Sequence, residues 1–343
     1  MSGGAAKKIG RGFVAIIAEA ALLAGSAMML VPFSWMLTVS LKGRREVFSG
    51  SNFLPQIKIA LDGLPRDPAL IALMAAAGAA SILWIYLKTM KRGALMPGIA
   101  AAVLWIAAIA RAFASGVLGG LVFDSYVDIW SRVPFARMFV NSTAVALAVT
   151  ALQLVTSSLA GFAFSRLNFP GRDRLFWAYA ALMLIPQQAT LIPAFMLIRN
   201  LGMMDTYAAL ILPFAAAPFG AFLMRQFFLG LPKELEEAAV LDGCSRLGVL
   251  FRIFMPLAKP GLSTLGLFSF MASWNEFLWP LMVTTKREMF TLQVGLDMLK
   301  WEAGSDWPII MAASVMVTIP VIAAFLFAQG RFTRSIAVSG INM

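Results

Sequence analysis

The sequence contains no histidine and a single cysteine, Cys244. The first absence removes the commonest general base and the commonest metal ligand. The second rules out an internal disulfide, and Cys244 stands in a polar segment expected to face a reducing compartment. Charge is scarce as well: Asp, Glu, Lys and Arg make up 13% of the 343 residues, against 60% hydrophobic side chains. No G-x-x-x-x-G-K-[ST], G-x-S-x-G or H-E-x-x-H pattern occurs. The chain therefore lacks a P-loop for nucleotide phosphates and the Ser/His and zinc hydrolase signatures. No catalytic residue, metal ligand or cofactor is expected.

What is present is apolar, with a mean hydropathy of +0.81, too high for a soluble domain of ordinary usage. A helix needs about 20 apolar residues to cross the hydrocarbon core. Eight runs qualify, roughly 13–40, 69–87, 95–122, 139–164, 175–198, 207–229, 260–283 and 308–328. All are expected to be helical, because lipid tolerates no unpaired backbone groups and no alternating strand pattern is present. The fold class is an all-α integral membrane protein of about eight spans. The first run, preceded by Lys7, Lys8 and Arg11, is too long for a signal peptide and lacks a clear small-x-small cleavage site, so it reads as a signal anchor. The formal charge of +11 is scattered at the ends of apolar runs, without a dense basic stripe. That distribution speaks for anchoring in membrane lipid and against nucleic-acid binding. An N-terminus inside places 16 bases inside, 11 outside and Arg111 within a span. The bias is positive-inside, opposed by the outer cluster Lys42, Arg44 and Arg45, and an even span count puts both termini inside.

The most distinctive segment is 236–261, polar and doubly acidic between two apolar runs. Its skeleton is Glu237-Ala238-Ala239, three residues, Gly243, nine residues, Ile253, one residue, Met255-Pro256. Pro232 stands at a helix start, Glu234, Glu236 and Glu237 suit the helix dipole in the first turn, and Gly243 can take the left-handed C-terminal cap. Ser245 can cap a second short helix ending near Pro256. Ala238 and Ala239, side by side, are expected to expose a small-residue surface that another protein could approach closely. The plainer reading is an amphipathic loop that joins two spans.

A second segment, 273–281, reads Ser-Trp-Asn-Glu-Phe-Leu-Trp-Pro-Leu. Asn275 and Glu276 in an apolar run are costly unless they face the protein interior or water. They mark either a bend lining a route across the membrane or an interfacial Trp belt with a polar helix end. Prolines at 186, 193, 213, 218, 280 and 320 kink or interrupt their helices, although packing alone accounts for many membrane prolines. Gln187, Gln188 and Thr190 lie between Pro186 and Pro193, and broken helices beside polar residues often line substrate cavities. Gln187 and Gln188 are candidates for contact with a solute hydroxyl. Glu19 and Arg111, isolated charges in other spans, are explained by snorkelling.

The spacing over 237–256 resembles the EAA coupling loop of permease subunits of binding-protein-dependent type I ABC importers, with Met255 where the family more often has Leu, a small change in volume. The segment Trp274–Pro280 is similar to one recurring in the sugar-uptake branch, which includes maltose-type and glycerol-3-phosphate-type systems. The resemblance covers the first span and about 200 residues from 139 onward. It implies a MetI-like permease core, residues 139–329, with a cytoplasmic coupling loop at 230–259 and a coupling helix at 233–242. Glu237, Ala238, Ala239, Asp242, Gly243, Ile253 and Pro256 would serve coupling to the ATPase, and Gln187, Gln188, Asn275 and Glu276 the translocation pathway. The implied function is import of a sugar or related polyol across a bacterial or archaeal cytoplasmic membrane, with ATP hydrolysed on a separate polypeptide. The implied partners are two ATP-binding subunits, a periplasmic or lipid-tethered solute-binding protein and, because the EAA-like pattern occurs once, a second and different permease chain. The rest divides into an N-terminal tail and first span (1–41), a periplasmic loop (42–68), an inserted helical hairpin (69–122) joined by the basic link Lys88–Gly93, a periplasmic segment (123–138) and a cytoplasmic tail (330–343). An ion-coupled secondary carrier would need ionisable groups relayed across spans and usually an internal duplication, and neither is apparent. A membrane-embedded enzyme lacks a catalytic constellation.

Overall fold

Proline and glycine punctuation decides how the apolar runs fold. The structure, a computed structural model, describes residues 21, 22, 25, 26, 28–42, 47, 68–89, 100, 103–105, 107, 108, 124–304 and 306–339. The N-terminal cluster, Glu19, most of the loop 42–68, the link at 90–93 and most of the run 95–122 with Arg111 lie outside the described residues. Every regular element among the described residues is helical.

In chain order these are α1 (Met28–Ser40), α2 (Pro68–Thr89), α3 (Asp124–Arg132), α4 (Phe135–Arg166), α5 (Arg172–Ala181), α6 (Gln187–Asn200), α7 (Tyr207–Ile211), α8 (Pro218–Leu229), α9 (Glu234–Leu241), α10 (Arg246–Val249), α11 (Lys259–Trp274), α12 (Leu278–Val283), α13 (Leu292–Ala303) and α14 (Trp307–Ser339). Two stretches are long and apolar enough to cross a membrane, α4 and 307–326 of α14, or up to five if each of three bent pairs is one span. Shorter apolar helices at Met28–Ser40 and Ala72–Trp84 fall in the runs 13–40 and 69–87.

Three of the expected spans are not continuous. The run 175–198 bends by 98° between Leu184 and Gln187. Pro186 holds the preceding Ile185 in an extended conformation (φ −82°, ψ 119°), as proline requires of its neighbour. The run 207–229 bends by 45°, where Ala217 is extended ahead of Pro218, the first residue of α8. The run 260–283 is interrupted at residues 275–277, between α11 and α12. Pro193 and Pro320 instead lie inside continuous helices.

The chain divides into two compact units, residues 1–128 with 303–315, and residues 129–302 with 316–343. In the first, Val39, Ala77, Ala108, Ile309 and Ala313 are buried, and Ser40 Oγ shares a hydrogen bond of 2.8 Å with Tyr126 OH. Lys42, a member of the outer cluster that opposes the positive-inside bias, is buried, 5% exposed.

In the second unit α4 packs along α8 and α11. Small residues permit this closeness: a Cβ on Gly161 would lie 2.7 Å from Met224 Cβ and 2.8 Å from the Arg225 backbone nitrogen, and one on Gly220 would lie 2.1 Å from Ser157 Oγ. Without a hydrophobic drive between helices in lipid, such backbone approach supplies the packing energy. Two clusters of buried side chains result. One gathers Phe162, Met224, Phe228, Leu250, Phe254 and Leu265 around Ala239, and the other joins Val145 and Val149 to Ile198, Leu210, Trp279 and Val283.

Candidate functional site

Two sites occupy the second unit. The first is the loop from 230 to 258. Helix α9 carries Glu234, Glu236 and Glu237 in its first turn. It ends as the sequence requires: Gly243 adopts φ +83°, the Gly243 N–H bonds to the Val240 carbonyl at 3.0 Å, and the Cys244 N–H reaches back to the Ala239 carbonyl at 2.9 Å. This is the paired 5→2 and 6→1 pattern of a Schellman cap. Ser245 Oγ then accepts the Gly248 N–H at 3.1 Å, opening α10. The helix continues through a wider π-type stretch, Leu250–Phe254, and Met255–Leu257, then bends by 83° into α11.

The expected small-residue surface is corrected here. Neighbours on a helix point about 100° apart, so two adjacent alanines need not share one environment. Ala239 is buried at 6% exposure within the Phe162–Phe228–Phe254 cluster, and Ala238 faces out. Glu237, Asp242, Gly243 and Pro256 are exposed, and Ile253 is half-buried against the cluster. The outward face is completed by side chains that the spacing did not single out, Leu235, Leu241, Leu247 and Phe251. Leu241 is 88% exposed.

Arg166 ties this loop to the spans. Counted from sequence as an anchoring base, its side chain is 4% exposed. Its guanidinium donates to the carbonyls of Phe228 and Leu231 at the end of α8. It also lies 4.0 Å from a Glu236 carboxylate oxygen and 4.8 Å above the Phe254 ring. The other Glu236 oxygen pairs with Arg246. Arg225 is used similarly: its Nε donates to the Phe164 carbonyl at 3.2 Å and its guanidinium sits 4.1 Å over the Phe176 ring. Lysine could not reproduce either arrangement, because the planar fork serves several acceptors while stacking on a ring.

The second site is a cavity of about 100 Å³ where the helix breaks converge. Gln187 and Glu276 both line it, with Gln187 Nε2 3.5 Å from Glu276 Oε2. Glu276 Oε1 accepts the Trp279 N–H at 3.1 Å, and the Trp279 indole donates to the Ala209 carbonyl at 2.8 Å. The four pathway candidates divide. Asn275 is exposed and folds its amide back onto the Met271 carbonyl at 2.8 Å. Gln188 is exposed, and neither it nor Asn275 lines the cavity.

Sequence reasoning missed the polar residues of α4 and α11. Gln153 donates to the Phe214 carbonyl at 2.8 Å and accepts from Ser269 Oγ at 2.6 Å, while Thr156 donates to the Ala215 carbonyl at 2.9 Å. These side chains satisfy carbonyls freed by the break between α7 and α8, as backbone at membrane depth requires. The only available signal was a lone Gln in an apolar run.

At the opposite end of the bundle from the 230–258 loop, Asp205 clasps the turn after α12. Its carboxylate accepts the Thr285 N–H and hydroxyl, both at 2.6 Å, and the Lys286 N–H at 2.9 Å. Partial burial alone would push the Asp205 carboxyl up. The bonds from the Thr285 hydroxyl and the two N–H groups, with the Lys286 charge, outweigh it and hold the group below the ordinary value. Nearby, Asn141 is fully buried, donating to the Glu288 and Phe290 carbonyls at 2.8 and 2.9 Å and accepting from Tyr207 OH at 2.6 Å.

Comparison with known proteins places this geometry. Residues 105–338 match the family model "Binding-protein-dependent transport system inner membrane component". The arabinooligosaccharides transport system permease protein AraQ of Halalkalibacterium halodurans is 36% identical over 223 residues, 65% of this chain and 80% of that protein. The sn-glycerol-3-phosphate transport system permease protein UgpE of Yersinia enterocolitica is 35% identical over 211 residues, 61% of this chain and 75% of the relative. The sulfoquinovosyl glycerol transport system permease protein SmoH of Agrobacterium fabrum is 34% identical over 220 residues, 64% and 77% of the two chains. A chain in the crystal structure of a bacterial ABC transporter involved in the import of the acidic polysaccharide alginate superposes with a TM-score of 0.68 at 21% identity, covering 93% of this chain and 96% of that one. That likeness is one of fold.

Proposed function

Since the chain belongs to the family of inner membrane components of binding-protein-dependent transport systems, we propose that it is the membrane-spanning subunit of an ATP-driven importer of a sugar or related polyol, and that the 230–258 loop is where the ATPase acts on it. Three permease relatives named for carbohydrate or glycerol derivatives support the solute class. Family membership leaves the ion-coupled carrier without support. A solute-binding protein, two ATP-binding subunits and a second permease complete the assembly. Both termini and the coupling loop lie on the cytoplasmic side.

One observation carries the coupling assignment. Leu235, Ala238, Leu241, Leu247 and Phe251 are apolar and exposed on the outward side of the loop, while Ala239, Val249 and Leu250 behind them are locked into the core. An exposed apolar patch on a rigid backing is a docking surface. Force applied there passes through Arg166 and the Phe254 cluster, and through the bend at Ala258, into α11. That helix is 16 residues long, about 24 Å, and bears Ser269, Ser273 and, just past its end, Glu276. Closure of the ATPase subunits thereby shifts the cavity wall and changes the side to which the cavity opens.

The test is Ala238→Trp and Leu241→Glu in the assembled complex. Each is expected to abolish solute-dependent ATP hydrolysis while the amount of complex in the membrane stays near that of the unaltered protein, because both side chains already point away from the core. Unchanged solute-dependent hydrolysis in both variants would refute the assignment.

A further inference from the structure

Kinship does not choose the charge of the solute. The relatives above are named for neutral arabinooligosaccharides and for anionic glycerol-3-phosphate and sulfoquinovosyl glycerol. The cavity lining bears on that choice. Among the described residues Glu276 is the one charged residue that lines the cavity, with no Lys or Arg beside it. Its other polar lining groups are uncharged, from Ser142, Gln153, Gln187, Ser269, Ser273 and Thr291. Gln153 is committed to Phe214 and Ser269. Glu276 Oε2, by contrast, has among the described residues only the long 3.5 Å contact with Gln187, which leaves acceptor capacity facing the open space. Thr291 lines the cavity and is 4% exposed, and its hydroxyl is buried without a hydrogen-bond partner among the described residues. A buried hydroxyl of this kind calls for a partner that the protein does not supply. Val145, Val149, Leu210 and Phe214 form the apolar remainder of the wall.

We propose that this cavity receives one unit of a neutral, hydroxyl-rich solute, a sugar rather than a phosphorylated, sulfonated or uronic one, and that Glu276 is the residue that excludes anions. The proposal rests on the importer reading above and narrows its substrate class. Sugar hydroxyls donate to the Glu276 oxygen that faces the open space, and the carbon face of the ring packs on Phe214 and the valines. A phosphate, sulfonate or carboxylate would meet an uncompensated like charge at close range, where Coulomb repulsion is strong. Specificity built on such a repulsive element discriminates even when the attractive contacts are similar.

The experiment reads the sign of the potential directly. In the complete complex held in nanodiscs, open from both faces, Cys244→Ala removes the native thiol and Ser273→Cys places one on the cavity wall. The thiol is treated with a cationic (trimethylammonium-ethyl) or an anionic (sulfonato-ethyl) methanethiosulfonate, and the two rates are normalised to those on a small free thiol. Any effect of Glu276 on thiolate formation cancels in the ratio. The cationic reagent is expected to react at least tenfold faster, Glu276→Gln to bring the ratio to about one, and Glu276→Asp to preserve it. An arabinose trisaccharide should slow the labelling, and sn-glycerol-3-phosphate should slow it only in Glu276→Gln. A ratio near one in the Ser273→Cys protein with Glu276 present overturns the proposal, as does a ratio that Glu276→Gln leaves unchanged. If Glu276→Gln does not assemble, the ratio with Glu276 present together with the Glu276→Asp result decides. Loss of coupling in the Ala238 and Leu241 variants alongside a charge-blind cavity would leave the importer reading standing and this one refuted.

Discussion

Replacing Arg166 with Met retains an apolar stem of similar reach but removes the guanidinium. The carbonyls of Phe228 and Leu231 lose their side-chain donor, Phe254 loses its stacked cation, and Glu236 keeps only Arg246. A hydrogen bond to a charged group contributes about 1.5–3 kcal/mol, so two give about 3–6 kcal/mol as an upper bound. Water can reach the end of α8 once the side chain is gone and reclaim part of this, leaving about 2–4 kcal/mol. The Glu236 contact, at 4.0 Å, adds little. Because each 1.4 kcal/mol is about a factor of ten, that loss is enough to populate a state in which the 230–258 loop is detached from the spans. The expected outcome is solute-dependent ATP hydrolysis per complex down by more than tenfold, with basal hydrolysis retained. Amide exchange should quicken over 234–258 but not over the middle of α4. Arg166→Lys should fall between, since an ammonium can serve the carbonyls without stacking flat on Phe254. Full coupling and unaltered exchange in Arg166→Met would refute the argument that this residue links loop to spans.

Gly161→Ala should lower thermal stability by about 1–3 kcal/mol and reduce assembled protein, because its Cβ would meet Met224 and Arg225 backbone atoms at 2.8–2.9 Å. Gly266→Ala, whose nearest neighbour would be a Leu154 methyl at 3.8 Å, is the control and should be near neutral by the same melting assay. The Asp205 carboxyl lies below its ordinary value, so the stability it contributes is present above the unfolded-state value, about 3.9, and is lost as pH falls through the folded one. Exchange of the Thr285 and Lys286 amides should accelerate on acidification through that range relative to amides in α4, and Asp205→Asn should flatten the dependence. A dependence that survives the substitution would show another group to be responsible.

The parts of this molecule legible from residue order are those whose hydrogen bonds close within a few residues. The left-handed cap at Gly243, the Ser245 cap, the breaks at Pro186 and Pro218 and the interruption at 275–277 follow from backbone stereochemistry that no distant contact needs to supply. Composition likewise determined that the chain is helical and lipid-soluble, since hydrocarbon leaves the backbone few alternatives. What periodicity could not decide is which way a side chain points once several faces are apolar. Ala238 and Ala239 are equivalent by composition, and only packing against Phe228 and Phe254 turns Ala239 inward. Gln187 and Gln188 are adjacent and chemically identical, yet only Gln187 meets Glu276, 89 residues away. Gln153, Ser269 and Arg166 acquired their roles in the same way, from carbonyls exposed by breaks and helix ends on other spans. Those meetings depend on α4, α8 and α11 approaching at the distances that Gly161 and Gly220 allow. The separation of helices is set by side chains on both partners at once, so it belongs to the tertiary structure and is written in no single stretch of the sequence.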